Sequence, residues 1–181
     1  GGDSWRRINT LNPRPMYYSQ IRIDPTDRKK MYVLGTSLYR SADGGDTFTG
    51  DGGRGIHVDH HALWINPRDS RHMILGNDGG IHVTYDRMDN WDHLNHVAIG
   101  QFYHVGIGPR IDYRVYGGLQ DNGSWGGPAR VSNDSGPVNS DWFRVGGGDG
   151  FITLVDPDDA DHVYFESQNG AMGRINLRTG E

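Results

Sequence analysis

The chain has 181 residues, and 18 Lys and Arg against 23 Asp and Glu give it a formal net charge of −5 at pH 7. No stretch approaches the ~20 consecutive apolar residues that cross a bilayer, and no basic cluster marks a nucleic-acid-binding surface. The sequence contains no cysteine, which excludes disulfides, thiolate metal sites and cysteine nucleophiles.

Glycine is unusually frequent, at 28 of 181 residues. This is about twice the usual share of ~7%. No segment carries a sustained helical periodicity of apolar residues, and each glycine in a helix interior would cost roughly 1 kcal/mol. The composition therefore predicts an all-β protein with short strands and many tight turns.

An Xaa-Pro dipeptide recurs about every 42 residues and each time follows a short apolar strand. A second strand, a glycine-rich turn, a third strand and an aromatic residue that marks a fourth strand come next. In chain order, the predicted strands are 20–23, 31–34, 37–40, 62–65, 73–75, 81–84, 104–107, 114–116, 152–155 and 162–165, and the marking aromatics are Phe48, Trp91 and Trp142. Four antiparallel strands per repeat are typical of a β-propeller blade.

The repeat divides the chain into blade units. Residues 1–14 are predicted to supply the last strand of one blade, and the following blades cover 15–53, 54–97, 98–145 and 146–181, the last of them incomplete. We expect the chain to be a segment of a larger propeller, because it begins in a fourth strand and ends after a third. The alternative is a four-blade ring that its N-terminal strand closes.

One turn has a specific pattern. Residues 41–48 match the Asp box, S-x-D-x-G-x-T-W/F, and residues 84–91 form a degenerate copy. The pattern predicts that Asp43 accepts backbone N–H groups, that Gly45 takes a positive φ and that Phe48 packs between blades.

Six segments resemble a bacterial family of sortilin/VPS10-like, BNR/Asp-box repeat propellers. They are residues 57–67, 76–80, 99–103, 117–127, 146–151 and 166–170. The resemblance implies a propeller from a larger, exported bacterial protein that is periplasmic, at the cell surface or secreted. Members of this family are often labelled glycosyl hydrolase-like, which rests on distant similarity alone.

The loops that join strands 4→1 and 2→3 share one face of a propeller. Eight aligned positions on this face are Tyr17, Asp59, Gln101, Asp149, Thr36, Asp78, Asp121 and Gln168. Neighbouring carboxylates would raise one another's pKa or hold a cation. Asp59 and Asp149 are the predicted catalytic pair if the protein is an enzyme. Asp78 and Asp121 are the reserves, although turn formation alone would explain them.

Two clusters are candidate metal sites. On a strand, His57, Asp59 and His61 would share a face, and imidazole with carboxylate suits Zn²⁺. The same cluster could act as an acid or base without metal, and His61 could equally be a core histidine. The acidic loop 43–46 with Asp51 is a weaker candidate for Ca²⁺. The sequence requires no cofactor.

Aromatic residues near the loops suggest a ligand platform. Tyr17, Phe102, Tyr103, Trp125 and Trp142 are the candidates, and Trp64 is predicted to lie in the core. The predicted ligand-binding residues are His60, Gln101, Tyr103, Gln120, Asn122, Trp125 and Gln168.

Three functions fit these features. The first is an exported binding module for a glycan or a polypeptide. The second is a glycoside hydrolase with paired carboxylates. The third is a structural piece that assembles through unpaired blade edges. We expect no nucleic-acid partner and no membrane span, and we expect either the remainder of a larger propeller or self-association.

Overall fold

The computed structural model describes residues 2–94 and 100–181. In them, short strands alternate with turns, and the helical content is limited to two 3₁₀ turns, Asn139–Asp141 and Gln168–Gly170. The strands are β1 (Gln20–Ile23), β2 (Met31–Leu34), β3 (Leu38–Ser41), β4 (His60–Ile65), β5 (Met73–Asn77), β6 (Gly80–Thr84), β7 (Asp92–His93), β8 (Gly106–Ile107), β9 (Arg114–Leu119), β10 (Gly123–Pro128), β11 (Phe143–Gly146), β12 (Gly150–Val155), β13 (His162–Ser167) and β14 (Ala171–Asn176).

These strands form four antiparallel sheets in which chain neighbours pair. Sheet A contains β1–β3, sheet B contains β4–β7, sheet C contains β8–β11 and sheet D contains β12–β14. In sheet A, an isolated bridge between Arg40 and Thr49 stands where a fourth strand would pair. The predicted all-β fold of propeller-type blades is thus confirmed, with four sheets from four sequence repeats.

The chain separates into two compact units, Gly1–His96 with sheets A and B, and Val97–Glu181 with sheets C and D. The predicted blade boundary between residues 97 and 98, and Ile99 of the family resemblance, lie outside the described residues. In the described part, no helix has the length and apolar character needed to cross a membrane.

The core of the first unit lies between sheets A and B. Tyr32, Leu34 and Leu38 of sheet A pack with Leu63, Met73, Leu75 and Met88 of the second repeat. Alternating side chains along each strand supply these residues, because successive residues of a strand point to opposite faces.

Sheets C and D approach so closely that their backbones touch. A Cβ added to Gly118 would lie 2.1 Å from the carbonyl carbon of Gly150, and one added to Gly150 would lie 2.3 Å from the carbonyl oxygen of Gly123. Part of the glycine content therefore serves packing between sheets, not only turns.

In three of the recurring Xaa-Pro turns, the first residue has a side-chain oxygen that accepts a hydrogen bond from the backbone. Asp24 Oδ1 accepts the amide of Thr26 at 2.8 Å, and in two other repeats Asn66 and Asp156 each accept the amide two residues later at 2.9 Å. Such Asx turns stabilise the chain reversal after the first strand of a blade.

The turn at residues 41–48 has the predicted hydrogen bonds. Asp43 accepts the amide of Thr47 at 3.0 Å and its hydroxyl at 2.5 Å, and the Gly45 amide donates to Ser41 Oγ at 2.9 Å. The hydroxyl and amide of Thr47 hold the pKa of Asp43 well below its ordinary value. Gly45 has the predicted positive φ, at 93°.

The degenerate copy at residues 84–91 keeps the same geometry without glycine. Asp86 accepts the amide of Asn90 at 2.9 Å, and the Met88 amide donates to Thr84 Oγ1 at 3.1 Å. Arg87 and Met88 take φ values of 61° and 73°, the left-handed region that Gly44 and Gly45 occupy in the first turn. The turn is therefore set by its polar side chains even where the backbone is strained.

Two predictions about the first unit need correction. Residues 2–19 contain no strand, so the predicted fourth strand at residues 1–14 is absent from its described part. Trp64 is 47% exposed instead of lying in the core. It pairs with Ile74 on the open face of sheet B, while Leu63 and Leu75 point inward.

Candidate functional site

In the first unit, the 4→1 loop before β4 lies against the 2→3 loop of sheet A. The Asp59 amide donates to the carbonyl of Thr36 at 3.1 Å, and the His60 amide donates to the carbonyl of Gly35 at 2.9 Å. Asp59 has a φ of 63°, which turns the chain just before the strand begins. The structure thus brings together the predicted positions Thr36 and Asp59.

The Asp59 carboxylate is oriented by two side chains that sequence reasoning missed. The Tyr18 hydroxyl donates a hydrogen bond to Asp59 Oδ1, and Arg14 Nη1 lies 3.5 Å from the same oxygen. Arg14 Nη1 also donates to the Tyr18 hydroxyl at 2.9 Å. Burial and the bond to Asp59 raise the pKa of Tyr18 above its usual value, so its hydroxyl keeps its proton at neutral pH.

Next to Tyr18 and Arg14 lies an exposed aromatic ring. Tyr17 is 68% exposed, and its ring contacts those of Tyr18 and His61 edge-on, at centroid distances of 4.9 and 5.8 Å. The Arg14 guanidinium carbon lies 5.3 Å from the Tyr17 ring centroid. His61 Nε2 lies 2.9 Å from Asp78 Oδ1, so a second predicted carboxylate borders the same ring cluster.

The predicted strand alternation of His57, Asp59 and His61 does not occur. β4 begins only at His60, and the left-handed backbone of Asp59 breaks the two-residue period. The carbonyl of His57 accepts the Asn77 side-chain amide at 2.7 Å, and its ring packs over Gly79. Within residues 2–94 and 100–181, no three His, Asp or Glu side chains are grouped to hold a metal ion. A metal at His57, Asp59 and His61 stays a prediction.

His60, predicted to contact a ligand, lies in the interior. It is 1% exposed, and burial lowers its pKa from 6.5 to about 4. The strand starts at this residue and turns its imidazole toward Gly53, where an added Cβ would lie 2.9 Å from Nε2. His82 is also buried, and burial lowers its pKa to about 4.

Two carboxylates of the acidic loop proposed for calcium, Asp43 and Asp51, have partners within the first unit. Asp43 accepts hydrogen bonds from Ser41 and Thr47. Arg40 donates to both oxygens of Asp51 at 3.0 Å, which lowers the pKa of that carboxyl to about 2.

In the second unit, the predicted loop residues also meet. Asp149 Oδ1 accepts the amide of Asp121 at 2.7 Å, and the Asp149 amide donates to Gln168 Oε1 at 2.8 Å. Asp149 therefore joins the 2→3 loops of sheets C and D. Asp59 and Asp149 belong to different units, and their pairing as catalytic residues stays a prediction.

The remaining predicted ligand residues lie around the 2→3 loop of sheet C. The Gln120 amide donates to the carbonyl of Gln101 at 3.2 Å, and the Asn122 side chain donates to the carbonyl of Gln120 at 3.0 Å. Trp125 is half-buried, and its indole N–H donates to the carbonyl of Asn122 at 2.6 Å. This bond reduces its suitability as a platform.

Tyr103 is the better-placed ring in the second unit. It is exposed and stacks on Phe151 with ring centroids 5.0 Å apart and planes within 6°. Sequence reasoning identifies Tyr103 as a candidate but misses its stacking partner Phe151, which lies in β12 directly after the Asp149 turn.

No protein-family model matches the chain, and neither does any curated protein. Among solved structures, 53 chains match. A family 74 glycoside hydrolase, the xyloglucanase of Xanthomonas campestris, is 13% identical with a TM-score of 0.36, covering 86% of this chain and 28% of its own. YCF48 bound to a D1 peptide is 13% identical with a TM-score of 0.32, at 83% and 48% coverage. Apo AztD from Citrobacter koseri is 13% identical with a TM-score of 0.34, at 84% and 43% coverage.

The chain spans less than half the length of each of these three structures. At such identities and TM-scores, the likenesses carry no argument about ligand or activity.

Proposed function

We propose that the chain is a propeller-type binding module that recognises a glycan through the loop face of its first unit. The main support for this proposal is that the Tyr17 ring is exposed and is bordered by Arg14 and His61. An aromatic ring with an apolar body and polar neighbours suits the alternating C–H and hydroxyl surface of a sugar.

The polar neighbours suit binding because they are already oriented. Asp59 is held by Tyr18 and Arg14, and Asp78 lies against His61. Side chains that are fixed before a ligand arrives lose less conformational entropy on binding. A polypeptide ligand is the alternative occupant, and the same experiment distinguishes it.

Tyr103 of the second unit is proposed as a separate ligand contact, within that unit alone. Gln101, Gln120 and Gln168 are exposed on the loops beside Tyr103 and Asp149, and they can donate to and accept from hydroxyl groups.

A glycoside hydrolase is the second candidate. The observation that favours it is the Asp59 carboxylate beside the Tyr18 hydroxyl and the Arg14 guanidinium, which would suit a charged nucleophile or base. Asp149 is the proposed second carboxylate. A retaining enzyme would need the two carboxyl groups about 5 Å apart and an inverting one about 6.5–9.5 Å apart.

Membership of the sortilin/VPS10-like, BNR-repeat propeller family and export from a bacterial cell are also part of this proposal. The predicted Asp-box turn at residues 41–48 and the resemblance to sortilin/VPS10-like, BNR-repeat propellers support an exported bacterial protein. A divalent metal, Zn²⁺ or Ca²⁺, would be an additional ligand, not a requirement. Native mass spectrometry with and without added zinc measures whether any metal is retained.

The test is a glycan array that also carries denatured casein as a polypeptide probe, read with the wild type, Tyr17→Ala and Tyr85→Ala. Tyr85 is a matched control, because it is similarly exposed and stacks on His72, but follows β6 on the 3→4 side. We expect glycan binding that Tyr17→Ala weakens at least tenfold and Tyr85→Ala leaves unchanged. Binding to casein alone, or equal effects of both variants, contradicts the proposal. Shortened oligosaccharide products, lost in Asp59→Asn, would favour the hydrolase.

A further inference from the structure

A polar cluster lies inside the first unit, where the turn after β1 meets the 3→4 turn of sheet B. Asp24 is 2% exposed, and its Oδ1 accepts the amide and the hydroxyl of Thr26, both at 2.8 Å. Ser70 Oγ accepts Arg87 Nη2 at 2.5 Å and lies 3.1 Å from the Thr26 hydroxyl. The turns of both sheets thus share one hydrogen-bonded network.

Three buried atoms of this cluster have no direct hydrogen-bond partner among the described residues: Asp24 Oδ2, the Tyr32 hydroxyl and Arg87 Nε. Arg87 Nε lies 3.7 Å from Asp24 Oδ2, beyond hydrogen-bonding distance. Tyr32 lies close to both groups: burial and then the charge of Asp24 raise its pKa to about 12, and Arg87 opposes the increase through its charge and through a polar interaction of its side chain with the phenol. A buried polar group without a hydrogen bond typically lowers the free energy of unfolding by about 1–3 kcal/mol. Three such groups in one cluster therefore indicate a shared hydrogen-bonding partner.

We infer that one internal water molecule binds between Asp24 Oδ2, Arg87 Nε and the Tyr32 hydroxyl. The water donates to the carboxylate, accepts from the guanidinium and exchanges its third bond with the phenol. Buried waters typically make about three hydrogen bonds, which equals the number of atoms that need a partner. The Arg87 charge disfavours a metal cation here, and the Asp24 charge disfavours an anion.

This water would join two sheets. Asp24 lies in the turn after β1 and Tyr32 lies in β2, both in the repeat of sheet A, whereas Arg87 belongs to the turn that follows β6 of sheet B. The left-handed φ of Arg87, 61°, belongs to the turn that brings its guanidinium to Ser70. Asn66 and Asp156 form the same Asx turn in other repeats but are only partly buried. The proposed water site is therefore specific to the repeat that contains Asp24.

A crystal structure of the whole chain, at a resolution that orders internal waters, tests the inference directly. We expect one isolated density peak within about 2.6–3.2 Å of all three atoms. Direct contact between Arg87 Nε and Asp24 Oδ2 with no peak between them would overturn the inference. So would a peak with the coordination distances of a metal ion.

Oxygen-17 relaxation dispersion of water provides a measurement in solution, because it counts long-lived internal waters. Tyr32→Phe should remove about one such water or shorten its residence at least tenfold. Tyr116→Phe, at an equally buried tyrosine of the second unit, should leave the count unchanged. If Tyr32→Phe does not fold, Arg87→Met removes the Nε donor instead. An unchanged count in a folded variant contradicts the inference.

Discussion

At the scale of single residues, the backbone conformation decides which sequence motifs work. Asp59 stands among histidines in a pattern that suits a strand, yet its positive φ separates His57 from His61 and directs its carboxylate to Tyr18. Residue spacing alone could not reveal this, because the two-residue period holds only within an extended strand.

Gly44 and Gly45 allow a prediction about how backbone strain and packing affect stability. Gly44 has a φ of 85° with no atom within 4 Å of an added Cβ, whereas a Cβ on Gly45 would lie 3.3 Å from the Met31 sulfur. Gly44→Ala should therefore destabilise by about 1 kcal/mol through backbone strain alone. Gly45→Ala should cost more, because packing adds to the strain. Urea unfolding measures both, and equal stabilities of the two variants would contradict the account.

Buried histidines predict a pH dependence. The folded pKa of His60 is lowered from 6.5 to about 4, so the unfolded state binds more protons between these values. The free energy of unfolding should therefore fall as pH decreases from 6.5 to 4, and His60 should contribute about 3 kcal/mol to this fall.

Urea unfolding at several pH values measures this slope. His60→Gln should flatten the decline, since it removes the titrating group, although His82 will keep part of it. Asp51, Asp69 and Asp86 have pKa values lowered to about 2 and lose their contributions mainly below this window. A slope that is the same in His60→Gln and the wild type would refute the assignment.

At the scale of elements, the repeat was readable because each strand is short, apolar and followed by a turn with a strong local preference. β1 and β2 coincide with the predicted segments, and residues that follow Trp91 and Trp142 form β7 and β11. Trp64 was misplaced, because an apolar strand has two faces and the sequence does not state which of them a neighbouring sheet covers. Arg14 and Tyr18 precede the first strand, and the residues 42 positions later, Ile56 and His60, are of other types, so alignment of the repeats could not find them.

The contact between sheets C and D gives a prediction for an element. Gly118→Ala would place a methyl group against the backbone of Gly150 and should destabilise the second unit by at least about 1–3 kcal/mol. Gly76→Ala is the matched control, because this strand glycine has its nearest atom 3.8 Å from an added Cβ. Thermal unfolding of both variants measures the difference. A tolerated Gly118→Ala would show that the sheets can separate without loss of stability.

At the scale of the whole molecule, sheet D has an open apolar face. Ile152, Leu154, Tyr164 and Met172 are exposed on it, and Leu154, at 60% exposure, pairs in register with Tyr164. Exposed apolar patches of this kind favour association. We expect this face to contact the same face of a second copy of the chain.

Analytical ultracentrifugation of this chain tests that association. The wild type should form dimers or larger species as concentration rises, and Leu154→Asp should shift it toward monomer. Ile111→Asp, at a fully exposed apolar residue of a loop, is the control and should have no effect. A wild type that stays monomeric at every concentration rules out association through this face.

The proposed glycan site lies on the loop face of the first unit, around Tyr17. The most direct measurement is an NMR titration of the ¹⁵N-labelled chain with an oligosaccharide that is positive on the array. We expect amide shift changes at Tyr17, Thr36 and His61, which lie on the 4→1 and 2→3 loops and the adjoining strand start. Changes confined to the Asx-turn side, around Thr26 and Arg68, would show that the glycan does not bind at Tyr17.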